Sequence, residues 1–275
     1  MKRVAAIQMA SGPKVSANLT EAGRLIQNAV DAGAQLVVLP ENFAIMGNSE
    51  QDKVKVREPE GEGPIQSFLA EQAMRHKIWI VGGTIPLAAS DRDRIRAACL
   101  LYDDQGKVRA RYDKIHLFDV HMPDIGETYN ESATIEPGTT TCVVDTPFGR
   151  LGLAVCYDLR FPELFRRMVD QDVEIVAVPA AFTAITGKAH WDVLVRSRAI
   201  ENLCYLIAAA QGGYHINGRE THGDSMIVDP WGVVLDRLPR GSGVVIADID
   251  LDKIRNTRRH FPVLTHRKIP CTSVS

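Results

Sequence analysis

The stretch LVVLPENF at residues 36–43 is echoed far downstream by IVAVPAAF at residues 175–182. Each is an apolar run too short for a helix that breaks at a proline and closes on a phenylalanine, so each reads as a buried strand entering a turn. The surroundings repeat as well. Before the first run lie the strand RVAAIQM (3–9) and a helical periodicity with Leu19, Ala22, Ile26, Ala29 and Gly33 on one face. After it come a helix with Pro64 near its first position, presenting Ile65, Phe68, Leu69, Gln72 and Ala73, and the strand IWIVGGT (78–84). The second run is framed by RLGLAV (150–155), a helix from about Phe161, a helix from about His190 to Asn202, and CYLIAAAQ (204–211). Two pseudo-repeated βαβ halves, each a sheet with helices on one face, bury their free faces by packing sheet against sheet. The fold class expected is therefore α/β, a four-layer α-β-β-α sandwich.

Between the halves, RAACLLY (96–102) runs through the turn DDQG into KVRARYDK (107–114), a hairpin. DPWG (229–232) joins two later strands, and GVVIADID (243–250) precedes a last short helix. The polar stretch 122–138 is the longest irregular segment, and such loops often form sites. Residues 1–270 are expected to form a single domain, with 271–275 as a C-terminal tail.

With 275 residues, 45% of them hydrophobic, the chain can bury a large core without staples. A formal charge of −2, with both signs mixed along the chain, offers no cationic face for nucleic acid or lipid headgroups. The N-terminal residues carry no signal-peptide core and no apolar run approaches a membrane span, so a soluble, cytoplasmic protein is expected. Five widely spaced cysteines without a C-x-x-C pair fit reduced thiols better than disulfides or zinc.

Cys156 lies in RLGLAVCYDLRFPEL (150–164), where a strand stops and Phe161-Pro162-Glu163 can start a helix. That context suits a nucleophile elbow exposed to solvent, and a nearby helix N-terminus lowers a thiol pKa. Free cysteines are also commonly small buried apolar residues. Cys99, Cys142 and Cys204 are read that way, and for Cys156 both readings stay open. Glu41 follows a buried strand at its carboxyl end, where α/β sheets place ligands, and Lys114 ends the hairpin; either alone reads as a surface residue. His116, His121, His190 and His222 lie near loop signals, so a Cys-His hydrolase remains an alternative on residue types. No familiar metal-ligand spacing is present.

Taken together, LPENF with Glu41, YDKIHLFD with Lys114 and GLAVCYDLRFPEL with Cys156 resemble the nitrilase superfamily of carbon-nitrogen hydrolases. NESAT around Glu131, AAFTAITGKAHWDVLVRSRAIEN (180–202) and HGDSMIVDPWG (222–232) resemble its Nit branch, with Lys188 standing where that branch often has proline. The resemblance implies a Glu-Lys-Cys triad: Glu41 as general base, Cys156 as nucleophile, and Lys114 with the Tyr157 N–H as oxyanion donors. Glu131 matches the family's second glutamate, which holds the lysine. No metal and no cofactor is implied; a small-molecule amide substrate and a homodimer are.

The substrate class implied is a small carboxylate-bearing amide, deaminated glutathione ahead of α-ketoglutaramate-type substrates, with N-carbamoyl amino acids a further alternative. A thiol redox-sensing or binding protein is the non-enzymatic alternative. A carboxylate calls for a guanidinium, and Arg160 in CYDLR is the candidate. Phe182, Lys188 and His190, in and after the duplicated VPAAF, are further candidates for the pocket wall, on the expectation that the ITGKAHW turn faces the same cleft.

Overall fold

The computed structural model describes residues 1–122 and 127–269, so the expected tail at 271–275 lies outside the described residues. The first half runs β1 (Lys2–Gln8), α1 (Val15–Asp31), β2 (Leu36–Val38), α2 (Gln51–Lys55), α3 (Pro64–His76), β3 (Trp79–Val81), β4 (Ile85–Ala88), β5 (Ile95–Tyr102) and β6 (Val108–Asp113). A hairpin of β7 (Asp119–Met122) and β8 (Glu127–Asn130) leads to the second half. That half contains β9 (Cys142–Thr146), β10 (Gly149–Leu153), α4 (Pro162–Val169), β11 (Ile175–Ala180), α5 (Ala184–Asn202) and β12 (Tyr205–Ala210). The chain ends with β13 (Gly212–Tyr214), β14 (Glu220–His222), β15 (Ser225–Val228), β16 (Val234–Leu238), β17 (Gly243–Ile249) and α6 (Leu251–His260).

The duplication is visible in the strand register. In the first sheet β1, β2 and β3 are parallel neighbours with Val4, Leu36 and Trp79 in line; in the second, β10, β11 and β12 repeat this with Leu151, Ile175 and Tyr205. Antiparallel strands complete a seven-stranded sheet ordered β17-β1-β2-β3-β5-β4, with β6 on β5, and a six-stranded sheet ordered β16-β15-β12-β11-β10-β9.

Strand alternation separates the layers. Val4, Ala6, Leu36 and Val38 share a core with Leu151, Leu153 and Ile207 of the facing sheet. Their neighbours Ala5, Ile7, Val37 and Leu39 turn the other way, against Leu25 and Ile26 of α1 and Ile65 and Leu69 of α3. Each fully buried leucine or isoleucine contributes about 1.5–3 kcal/mol of burial. The expected four-layer α-β-β-α sandwich is what forms.

Several local expectations are corrected. The first helix ends at Asp31, and Gly33 leaves it at φ +86°, a left-handed conformation suited to glycine. Of the polar stretch 122–138, residues 123–126 lie outside the described residues; the rest is more regular than a loop, with β8 pairing to β7 and a 3-10 turn at Glu131–Ala133. α5 starts at Ala184, where the Thr183 hydroxyl caps it by accepting the Thr186 N–H, so ITGKAHW is helix and not turn. Cys99 and Cys204 are buried, but Cys142 is only half-buried on the edge strand β9. Among the described residues no helix is long and apolar enough to cross a membrane.

Candidate active site

The carboxyl ends of β2, β6, β10 and β11 converge on one cavity, lined among others by Glu41, Glu131, Cys156, Tyr157, Arg160, Ala181 and Phe182. Cys156 begins a 3-10 turn at Cys156–Arg160 directly after β10 and sits at φ +48°. That left-handed conformation is costly for a side chain, and here the fold imposes it. The clamp is Asp158, fully buried, whose carboxylate accepts the Val155 N–H at 2.8 Å, the Tyr112 hydroxyl at 2.7 Å and the His116 N–H at 3.3 Å. The elbow is real, but its thiol lies on the cavity floor, only 8% exposed, and not up in solvent.

Lys114 follows β6 and is buried, its ammonium donating to Glu41 at 2.8 Å and to Glu131 at 2.7 Å. Burial works against its charge, yet the Glu131 and Glu41 carboxylates outweigh burial and hold its pKa well above the ordinary lysine value. Burial alone would raise the Glu131 carboxyl, but Lys114 and Lys53 keep it below the usual range. Glu131 also accepts the Phe118 N–H at 2.8 Å. Glu41 is held through its backbone: Gln211 donates to its carbonyl at 3.0 Å, and the next N–H, of Asn42, donates to Thr84 at 2.9 Å.

The Cys156 thiol is pushed well above its ordinary pKa, first by burial and then by the Glu41 carboxylate; Lys114 and the Ala181 N–H act in the opposite sense. The expectation of a thiol acidified by a helix N-terminus is therefore overturned: α4 begins only at Pro162, and desolvation dominates. A protonated thiol sharing its cavity with a carboxylate is the ground state that a general-base mechanism needs. The model of the carbon-nitrogen hydrolase family matches residues 3–259, nearly the whole chain. The chain therefore belongs to that family.

The deaminated glutathione amidase of Synechocystis is 46% identical over 96% of this chain and 97% of its own length. The protein of the same description from Yersinia enterocolitica is 42% identical over 96% and 92%. The crystal structure of the C. elegans NitFhit protein superposes with a TM-score of 0.89 at 36% identity, covering 97% of this chain and 65% of that one. In this chain Glu41, Glu131 and Cys156 line one cavity, and Lys114 is bonded to both glutamates.

The wall residues divide. Tyr157, Arg160 and Phe182 line the cavity, with the Arg160 guanidinium 5.3 Å from the Phe182 ring centre and 5.7 Å from that of Tyr157. His190, on α5, is exposed and touches only from behind, accepting from Arg160 at 3.2 Å. Lys188 does not face this cleft. It is exposed on α5 in a separate depression with Glu220, His222 and Asp224, because the helix starts early and carries it a full turn outward.

No histidine lines the cavity of Cys156. His116 is stacked on Phe161 and bonded to Asp158 at 2.6 Å, so a Cys-His pair is not assembled. Among the described residues no cluster of three or more His, Cys, Asp or Glu side chains is arranged for a metal ion. The sequence reading missed Asp158, Ala181, Thr183, Thr186 and Arg219. A signal existed for Ala181 and Thr183, since VPAAFT ends where LPENF places Glu41 in the first half; Arg219 had none.

Proposed function

We propose that this hydrolase is an amidase whose preferred substrate is deaminated glutathione, cleaved through a thioester on Cys156. The observation that carries the reading is one cavity lined by Cys156, Glu41 and Arg160, with the buried Lys114 ammonium hydrogen-bonded to Glu41 and Glu131 beside it. In this mechanism Glu41 takes the thiol proton as sulfur attacks the amide carbon. The oxyanion is held by the Lys114 ammonium and the Tyr157 N–H, each such donor lowering the barrier by about 3 kcal/mol. Glu41 returns the proton to the leaving amine, then activates water to hydrolyse the thioester. Glu131 keeps Lys114 charged and oriented.

Carboxylate recognition falls to Arg160, which is in no ion pair among the described residues, and to the N-terminus of α5, where Thr183 and Thr186 line the cavity. A single domain over residues 1–270 suffices, since both halves supply groups to the site. A thiol that must stay reduced suits a cytoplasmic setting.

The decisive experiment compares kcat/KM for deaminated glutathione, α-ketoglutaramate and a neutral aliphatic nitrile, with Cys156→Ala as control. Deaminated glutathione should lead, the nitrile should not react, and the variant should fold but be inactive. A preference for α-ketoglutaramate would keep the mechanism and change the substrate; turnover by Cys156→Ala would end the proposal.

A homodimer paired across the second-half helices is part of the same reading. Val193 (63% exposed) and Ile200 (44%) lie two turns apart on one face of α5, and Ile200 abuts the turn carrying Trp231 (59%). Light scattering on the protein and on Trp231→Glu tests it, the variant being expected as monomer.

A further inference from the structure

The catalytic cavity continues into a second chamber. The inner part lies around Cys156, Glu41 and Arg160. The outer part is lined by Asn48, Ser49, Lys53, Tyr129 and Asn217, among others. Phe118, Glu131 and Arg219 line both, so they form the neck.

Arg219, just before β14, is half-buried and in no ion pair among the described residues. Its Nη2 donates to the Ala181 carbonyl at 3.1 Å, its Nη1 meets the Met46 sulfur at 4.0 Å, and its guanidinium lies 5.1 Å from the Tyr129 ring centre. Its Nε is buried without a hydrogen-bond partner. The other cations here are occupied: Lys114 by Glu41 and Glu131, and Lys53 by Glu50 at 2.8 Å. Glu50 answers first to Lys53, and Arg219 is the weakest of the influences on it. A buried donor left unmade is expensive, and a planar guanidinium fork suits a carboxylate.

Attack geometry says which end of a substrate reaches it. With the oxyanion on Lys114 and the acyl carboxylate on Arg160, the scissile nitrogen must leave between Glu41 and Glu131, and the way out passes Phe118 and Arg219. Ammonia would need none of the outer chamber. Resting on the amidase reading above, we propose that the outer chamber is a leaving-group subsite and that Arg219 is a specificity-determining residue binding the terminal carboxylate of a peptide-sized leaving amine. For deaminated glutathione that amine is cysteinylglycine, whose glycine carboxylate supplies the anion.

The test uses the purified full chain with deaminated glutathione, its C-terminal carboxamide and α-ketoglutaramate. The wild type should prefer the acid over the carboxamide by about tenfold or more in kcat/KM, mainly through KM. In Arg219→Gln that ratio should fall towards one, with Arg219→Lys between. A merely structural role would lower both substrates together and leave the ratio intact. Product inhibition of the wild type, stronger by cysteinylglycine than by its carboxamide, gives a reading independent of any variant's folding. Equal use of acid and carboxamide by the wild type, or a ratio surviving in Arg219→Gln, overturns the subsite. Turnover of α-ketoglutaramate with no such preference sinks this inference alone, whereas no turnover of any amide sinks the amidase reading with it.

Discussion

The Tyr112 hydroxyl donates to the buried Asp158 carboxylate at 2.7 Å, joining the strand that ends next to Lys114 to the turn that begins at Cys156. With the His116 bonds to the same carboxylate, it ties the segment of Lys114 to the turn of Cys156. Tyr112→Phe should cost about 1.5–3 kcal/mol of stability, the range for a hydrogen bond to a charged group. It should also lower kcat by about ten- to a hundredfold, since misplacements near 1 Å carry that penalty. Urea unfolding and steady-state kinetics on the same preparation check both.

The desolvated thiol predicts an unusual pH profile. Cys156 is raised above its ordinary pKa, so at neutral pH it carries its proton, and its alkylation by iodoacetamide should be slow at pH 7 and still rising above pH 9. A cysteine paired with imidazolium would instead reach its plateau well below neutrality. Removing the carboxylate by Glu41→Gln takes away a cause of the upward shift, so the profile should move to lower pH even as amidase turnover falls by about 10²–10⁴-fold.

Gly138 packs against the strand end that presents the lysine. Its N–H donates to the Lys114 carbonyl at 2.9 Å, and a Cβ there would lie 2.1 Å from the Asp113 carbonyl oxygen. Gly138→Ala must push that backbone aside at a cost of about 1–3 kcal/mol. A lowered melting temperature with kcat reduced more than KM is raised is the expected pattern in thermal unfolding and kinetics.

Arg160 and Lys188 should behave oppositely. Arg160→Gln removes the guanidinium on the cavity wall and should raise KM for a carboxylate-bearing amide about tenfold or more, whereas exposed Lys188→Ala should leave KM within twofold. Initial rates over a range of amide concentrations settle the pair.

The parts of the molecule legible in the sequence are those where one local pattern has one structural solution. Strands covered on both faces must be apolar throughout, so LVVL and IVAV announced the two sheets, and Pro64 at the first turn of α3 marked a helix start. Glu41, Lys114 and Glu131, which alone read as surface residues, were singled out with Cys156 only through the resemblance of their motifs to a known family. The start of α5 was placed too late, near His190; the helix runs back to Ala184 through Gly187, where a Cβ would fall 2.2 Å from that of His222. Placing Lys188 in the cleft followed from that misreading. β7 alternates polar and apolar residues, DVHM, but over only four positions, too few to announce a strand. Arg219 escaped because its partners, Met46, Tyr129 and Ala181, come from three distant segments.

The pairing of β1 with β17 also bears on how the protein is made. Every residue of β1 has its partner on β17, from Lys2 opposite Ile249 to Gln8 opposite Gly243. A ribosome adding about 5–20 residues per second needs on the order of ten to fifty seconds to travel between those partners. Throughout that interval one edge of the first sheet has no neighbour, and unpaired apolar edges recruit other chains. Premature termination shortly before Gly243 therefore releases a polypeptide holding Glu41, Lys114, Glu131 and Cys156 and an open seam, a species for chaperones and proteases to handle before it can aggregate.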